Sequence, residues 1–244
     1  MDKALFEEMD RLETIHWWFL GKRAIVMAVV DHLMAGIKDA EIADLGAGIG
    51  HMLRPLSAYG NVVGMEMSED AKNLALRRWG KVYSGWLPNS VPFSDESFDL
   101  IILSDVIEHI EDDVGSMEKV MQCLKRGGSV IVTVPAFMFL YCGRDRLHGH
   151  QRRYSLKELK EKITAAGLEV KYISYYNFYL FPLALVERIA RKMFPSKVEK
   201  PDLVVPHKTI NRAMTKLFSS EGELMRKGVN FPWGLSLFAV AKRE

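Results

Sequence analysis

A chain of 244 residues and 27.8 kDa has room for one full-sized domain with an elaboration, and is too short for two domains with independent cores. The hydrophobic (48%) and charged (26%) fractions exclude wholesale disorder, and 33 Lys+Arg against 31 Asp+Glu leave a formal charge of +2, too small a basic excess to imply a nucleic-acid partner. Two cysteines, Cys123 and Cys142, make no disulfide framework, the opening MDKALFEEMDRLE lacks the basic-then-apolar plan of a signal peptide, and no uncharged run is long enough to cross a bilayer, so a soluble cytoplasmic protein is expected.

Short apolar, β-branched runs alternate with helical stretches along the chain, the pattern of a parallel sheet covered by helices. Helices are expected over Lys3–Leu12 and Lys22–Ala35, bridged by the aromatic cluster His16-Trp17-Trp18-Phe19. Glu41–Leu45 reads as the first strand, followed by a glycine turn and a helix through Ala58. Asn61–Glu66 is the second strand, Glu69–Arg78 the next helix and Lys81–Ser84 a short third strand.

Phe98–Asp105 is a nearly continuous apolar run, as expected of a central strand buried on both faces. A helix over Asp112–Leu124 should stop at Lys125-Arg126-Gly127-Gly128, and Ser129–Val134 is the fifth strand. Ser155 with Glu158 three residues on forms a capping box for a helix that Gly167 closes. Glu169–Tyr175 and Leu235–Ala241 are the sixth and seventh strands, and the long interval between them contains a helix over Ile210–Lys227. The organisation expected is a single domain: an N-terminal helical cap (1–40), a cofactor-binding core (41–177), a helical insertion (178–233) and the last strand (234–244).

The stretch Asp44-Leu45-Gly46-Ala47-Gly48-Ile49-Gly50 places three alternating glycines between a strand and a helix. Such a turn is tight and lets backbone approach a ligand closely, while the helix that follows offers unpaired N–H groups. Glu66, followed by Met67, closes the next strand about 20 residues further on, where a carboxylate accepts both hydroxyls of a ribose. A dinucleotide fingerprint, G-x-G-x-x-G, needs glycine at position 51, where His51 stands. Asp44 would also be unhelpful beside a pyrophosphate and suits a ligand's ammonium group. An NAD(P)-dependent oxidoreductase is therefore disfavoured.

This set of residues resembles motif I of the class I S-adenosylmethionine-dependent methyltransferases, of the methyltransferase type 11/12-like kind, and Glu66 falls at that family's ribose-binding acid. The resemblance continues through Pro92–Leu100, which looks like the lead into strand four. Leu103-Ser104-Asp105-Val106-Ile107-Glu108-His109-Ile110 is similar to the motif after that strand, and Leu124–Gly128 to the turn before strand five. Together these cover Ile42–Asn177 in the family's order. The resemblance implies a doubly wound, seven-stranded, mostly parallel Rossmann-like sheet with an antiparallel last strand, and S-adenosylmethionine as cofactor. It implies cofactor contacts at Asp44, Gly46, Ala47, Gly48, Gly50, Glu66, Met67, Trp86, Leu87 and Ser104. Where the family often has a Gly-Asp pair reading the adenine amino group, this chain has Gly85-Trp86, so adenine would rest on backbone near Leu87 and on the Trp86 ring.

Methyl transfer from a sulfonium is a direct displacement whose rate comes mostly from alignment, with a base needed if the acceptor is a hydroxyl. His109, just beyond strand four, is the first candidate base, against the alternative of a histidine that only packs at a helix start. Arg144–Tyr154 after strand five is dense in ionisable groups and resembles an Asp…Gly-His-x-Arg-Arg-Tyr-Ser signature of similar methyltransferases. There His148 or His150 could act as base and Arg152 or Arg153 could bind an anionic group, or the loop could simply be solvated. No metal set is expected, because the pair His148/His150 has no third ligand nearby in the sequence. The aromatic cluster at 16–19 either covers the site or packs the first helices down. The segment 178–194 could line an acceptor pocket, touch a membrane surface through its charged face (Glu187, Arg188, Arg191, Lys192) or form a homodimer interface. The expected function is methyl transfer to a small-molecule acceptor, at oxygen with nitrogen or carbon left open, and a non-catalytic S-adenosylmethionine-binding module is the alternative.

Overall fold

The computed structural model describes residues 3–186 and 204–244. Seven strands form one sheet: β1 (Ala40–Leu45), β2 (Gly60–Glu66), β3 (Val82–Ser84), β4 (Phe98–Ser104), β5 (Leu124–Pro135), β6 (Glu169–Tyr176) and β7 (Ser236–Lys242). Their spatial order is β3-β2-β1-β4-β5-β7-β6. All neighbouring pairs are parallel except those of β7, which runs antiparallel to both β5 and β6. The sheet is the doubly wound, mostly parallel one that the sequence implies, with β7 inserted beside β5.

The helices are α1 (Lys3–Ile15), α2 (Trp17–Leu33), α3 (Leu53–Leu56), α4 (Glu69–Trp79), α5 (Asp113–Cys123), α6 (Gly143–Leu147), α7 (Leu156–Ala165) and α8 (Lys208–Arg226). Because β5 is covered on both faces, its Val130, Ile131, Val132 and Val134 are without exposed surface, and their side chains alternate between two cores. One core joins Val130, Val132 and Val134 to Met117 and Val120 of α5 and to Leu159 and Ile163 of α7. The other joins Ile131 to Ile25 and Val26 of α2, Phe218 and Met225 of α8, and Tyr176.

Three local expectations change. The helix after the glycine turn is the single turn α3, after which the chain turns through Ser57–Tyr59 into β2. The segment Lys125-Arg126-Gly127-Gly128 does not stop a helix: α5 ends at Cys123, and Leu124 is already paired with Phe98 in β5, whose register then shifts. The aromatic cluster does not bridge two helices. His16 is the N-cap of α2, its imidazole accepting the Trp18 N–H, and Trp17–Phe19 form the helix's first turn.

Asn211 of α8 braces that junction, accepting the Trp17 N–H at 2.9 Å and donating to the Ile15 carbonyl at 2.7 Å. The Phe218 ring lies parallel to Trp18 (5.2 Å between centroids) on one side and to Tyr176 (6.0 Å) on the other. The helix expected over Ile210–Lys227 is thus fastened to the N-terminal helices and to the sheet. The charged residues Glu187, Arg188, Arg191 and Lys192 lie outside the described residues. No helix among the described residues is long and apolar enough to cross a membrane.

Phe218 has no exposed surface and ties α8, α2 and β6 together. Phe218→Ala is expected to cost about 3–5 kcal/mol in urea denaturation. A loss below about 1 kcal/mol would mean that α8 is not packed this way.

Candidate active site

The strand order reverses direction at β1 and β4, and the segments leaving those two strands diverge to opposite faces of the sheet. The crevice this leaves at the carboxyl ends is where open α/β sheets bind ligands. Here it is a cavity of about 590 Å³. Its walls are the turn Asp44–Gly48, Ser104 and Asp105 from the end of β4, and His109, His148 and His150. His16, Trp17, Trp18, Phe19 and Lys22 cover it from α2 and its cap. The aromatic cluster therefore does both things the sequence allowed: it packs on α8 and it lines the cavity.

The turn follows from its glycines. A Cβ on Gly46 would sit 2.6 Å from Val106, so only glycine lets the segment after β4 approach. Gly48 has φ +54°, and a Cβ there would meet nothing within 4 Å, which leaves an open cradle on its cavity side. Its N–H donates to Glu66 Oε2 at 2.9 Å, while Glu66 Oε1 accepts the Ser68 N–H at 2.8 Å. The acid at the end of β2 is thus fixed against the turn. Asp44 is only 3% exposed, and burial, reinforced by the Glu66 carboxylate and opposed by Lys22, pushes its pKa up to about 7.

The other residues expected at the cofactor divide. Ala47 and Ser104 line the cavity and Gly50 closes the turn by donating to the Ala47 carbonyl. Met67 and Trp86 present exposed side chains just beyond the ends of β2 and β3. Leu87 is buried in the core, so only its backbone is available to a ligand. Of the residues expected at the cofactor, Asp44, Gly46, Ala47, Gly48 and Ser104 line the cavity, and Gly50, Glu66, Met67, Trp86 and Leu87 do not. The open Gly48 cradle and the buried Asp44 suit an aminoacyl end, Glu66 a ribose, and the Trp86 ring an adenine.

At the other end of the cavity the three expected histidines come together. The His109 and His150 rings meet edge to face at 4.8 Å between centroids, and His148 lies 6.0 Å from His150. His150 Nδ1 donates to Asp145 Oδ1 at 3.1 Å, and His109 Nδ1 to the Gly149 carbonyl at 3.2 Å. Burial and the neighbouring His150 hold the His109 pKa below the ordinary imidazole range. Asp105, in the left-handed region at φ +57°, is fixed there by the ammonium of Lys22 and by the Thr133 hydroxyl, which donates to it at 2.9 Å.

The two arginines expected to bind an anionic acceptor, Arg152 and Arg153, are both engaged by acids. Arg152 is bonded to Asp113 at 2.9 Å and Arg153 to Asp145 at 2.6 Å. The Tyr154 hydroxyl and Lys162 also converge on Asp113, and Ser155 caps α7 as the capping box requires. The solvated-loop expectation does not hold for Arg153 and Tyr154, which are buried; with Arg152 they neutralise or satisfy buried acids. Two residues to which the sequence assigned no role also stand out. Glu108 has no exposed surface and neither carboxylate oxygen has a partner; burial and the adjacent Asp105 push its pKa well up. Asn177 is equally buried, lines the cavity, and its amide is unpartnered.

Residues 43–132 match the family model described as a methyltransferase domain. The chain is 29% identical over 160 residues to a Mycolicibacterium smegmatis protein described as a probable S-adenosylmethionine-dependent methyltransferase, covering 64% of this chain and 61% of that one. It is 30% identical over 127 residues to phosphoethanolamine N-methyltransferase 2 of Caenorhabditis elegans, covering 48% of this chain and 29% of the relative. An uncharacterised Methanocaldococcus jannaschii protein is 27% identical over 128 residues, 52% of this chain and 58% of the relative. The chain thus spans less than two thirds of each curated relative's length. Among solved structures, a Thermotoga maritima S-adenosylmethionine-dependent methyltransferase shares the fold at a TM-score of 0.60 and 19% identity, with 99% of this chain and 97% of that one covered. The Haemonchus contortus phosphoethanolamine N-methyltransferase 2, solved in complex with S-adenosylmethionine, does so at 0.57 and 18%, covering 88% and 51%. Residues 43–132 thus match a methyltransferase domain, and the strand order with its glycine turn is the fold shared with S-adenosylmethionine-dependent methyltransferases.

Proposed function

We propose that this protein transfers a methyl group from S-adenosylmethionine to an oxygen of a small-molecule acceptor. The observation that carries the reading is the continuity of one cavity from the Asp44–Gly48 turn to the His109, His148 and His150 cluster. A volume of about 590 Å³ suits a small ligand beside the cofactor's reactive end. When bound, S-adenosylmethionine supplies a methyl activated by the positive sulfur. The chain's own contribution is to place a nucleophile and exclude water. Trp17, Trp18 and Phe19 wall the cavity with apolar surface, Asn177 offers an unpartnered amide to an acceptor, and the histidines stand where a hydroxyl proton would leave.

The names of the Caenorhabditis and Haemonchus proteins raise a nitrogen acceptor as the second reading. A neutral amine attacks without a base, which would leave the histidine cluster idle. A phosphorylated amine would further need a cation for its phosphate; Arg153 is paired with Asp145, while Arg23 also lines the cavity and could take that role. The histidine cluster is what favours oxygen.

In calorimetric titration, S-adenosylhomocysteine is expected to bind in a one-to-one ratio, and Glu66→Ala to weaken it at least about tenfold through the lost ribose hydrogen bonds. Absence of binding would remove the reading; unchanged affinity in the variant would remove the role of Glu66. Asp44 gives a pH dependence of definite sign. Its carboxylate must be ionised to receive the ligand's ammonium, and its pKa is held at about 7. Affinity should therefore rise with pH, by up to about tenfold per unit below 7, and level off above it. Asp44→Asn should bind more weakly and without that slope; a wild-type affinity independent of pH between 5.5 and 8, roughly this window, would contradict the assignment.

A further inference from the structure

Glu108 is the residue that the reaction described above leaves unexplained. A carboxylate with no exposed surface and two unpartnered oxygens is costly unless something compensates it. Its Oε1 lies 4.0 Å from His150 Nε2. One carboxylate oxygen of Glu108 and one ring nitrogen each of His109 and His150 all lie within 4.8 Å of one another.

The two rings are prepared in the same way. A carbonyl or carboxylate can only accept, so His109 Nδ1 carries the proton toward Gly149, and His150 Nδ1 carries it toward Asp145. Each imidazole then presents an Nε2 lone pair. A ligating histidine whose other nitrogen donates to a carboxylate or carbonyl is the usual outer support of a metal ion. Asp145 is itself held by Arg153 and by the Cys142 N–H, so it is a fixed acceptor and not a passing one.

We propose that Glu108, His109 and His150 form a divalent transition-metal site at the end of the cavity, where the ion binds and activates the oxygen acceptor. Two imidazoles and one carboxylate favour Mn²⁺, Fe²⁺, Co²⁺ or Zn²⁺ over Mg²⁺ and Ca²⁺, which prefer all-oxygen sets. Bonds of about 2.1 Å put neighbouring ligand atoms roughly 3.0–3.4 Å apart, so the side chains must draw in by up to roughly 1.5 Å to close on the ion. Because His109 and His150 line the cavity while Glu108 lies behind them, the remaining coordination positions open onto the acceptor space. The sequence paired His148 with His150 and lacked a third ligand; the fold instead joins His150 to Glu108 and His109, which follow β4, and leaves His148 out of the set.

The activating role rests on the methyltransferase reading above; the site itself does not. A bound cation lowers the pKa of the acceptor hydroxyl, whose proton passes to solvent. A lone pair of the resulting oxygen forms the new bond to the methyl carbon, and the electrons of the breaking carbon–sulfur bond stay on sulfur. The products are a methyl ether, a neutral thioether and one proton.

The test uses full-length, tag-free protein titrated with Zn²⁺ and Mn²⁺, with Mg²⁺ and Ca²⁺ as controls, and Co²⁺ for its visible absorption. One Zn²⁺ or Mn²⁺ per chain is expected, together with Co²⁺ bands characteristic of nitrogen and oxygen ligands. Glu108→Gln, nearly the same shape and free of the buried charge, should weaken Zn²⁺ by more than about 100-fold and abolish the bands, as should His150→Gln. S-adenosylhomocysteine affinity should be unchanged in Glu108→Gln, which reports that the variant is folded. No saturable metal binding, or equal binding by Glu108→Gln, overturns the metal site while leaving the methyltransferase reading intact. Metal binding without S-adenosylhomocysteine binding does the reverse.

Discussion

The constraint on which the site depends is the divergence of the chain at β1 and β4. Two parallel neighbours whose following segments go to opposite faces leave a gap at their carboxyl ends that neither can fill. The glycine turn occupies one lip of that gap because side chains at Gly46 would strike Val106. The segment after β4 occupies the other and carries Asp105, Glu108 and His109 in quick succession. Everything proposed for the protein takes place between these two lips.

What turns the gap into a chamber is built from residues distant in sequence. α2 brings Lys22 onto Asp105, and α8 braces the start of α2 through Asn211 and Phe218. The loop after β5 is anchored through buried acids, Asp113 taking Arg152, Tyr154 and Lys162, and Asp145 taking Arg153 and His150. Arg152 and Lys162 place cations on Asp113 and Arg153 places one on Asp145, so the loop is held by charge as well as by packing. Glu108 differs from Asp105, Asp113 and Asp145 in that no lysine or arginine pairs with it among the described residues, and neither of its oxygens has a hydrogen-bond partner.

Much of the frame was legible because it is local. Apolar runs such as Phe98–Ser104 and Ser236–Lys242 can be buried only as strands, and the alternating glycines after Asp44 impose one kind of turn. The capping box at Ser155 and Glu158 names its helix outright. Errors arose where neighbours in space overrode neighbours in sequence. Gly127 and Gly128 look like a helix stop, yet the edge of β4 draws Leu124 into the sheet first. Arg152 and Arg153 look like an anion site, yet two buried acids claim them, Asp113 from the start of α5 and Asp145 from the loop itself. Glu108 looks like an ordinary acid at the start of a helix, and only the fold shows that no solvent reaches it. The one available signal was the adjacent Glu108-His109 pair after an apolar strand, with a His-x-His ahead in the chain at 148–150.

The account's central claim is that cofactor and chemistry share one chamber, with the reacting sulfur directed from the glycine turn toward the histidine cluster. A crystal structure with S-adenosylhomocysteine tests this most directly. The account predicts the ribose on Glu66, the amino-acid end against Asp44 and Gly48, and the thioether sulfur facing the space bounded by Asp105, His109 and His150. A ligand seated elsewhere, or a sulfur turned away from those histidines with the aromatic wall of α2 between them, would contradict it.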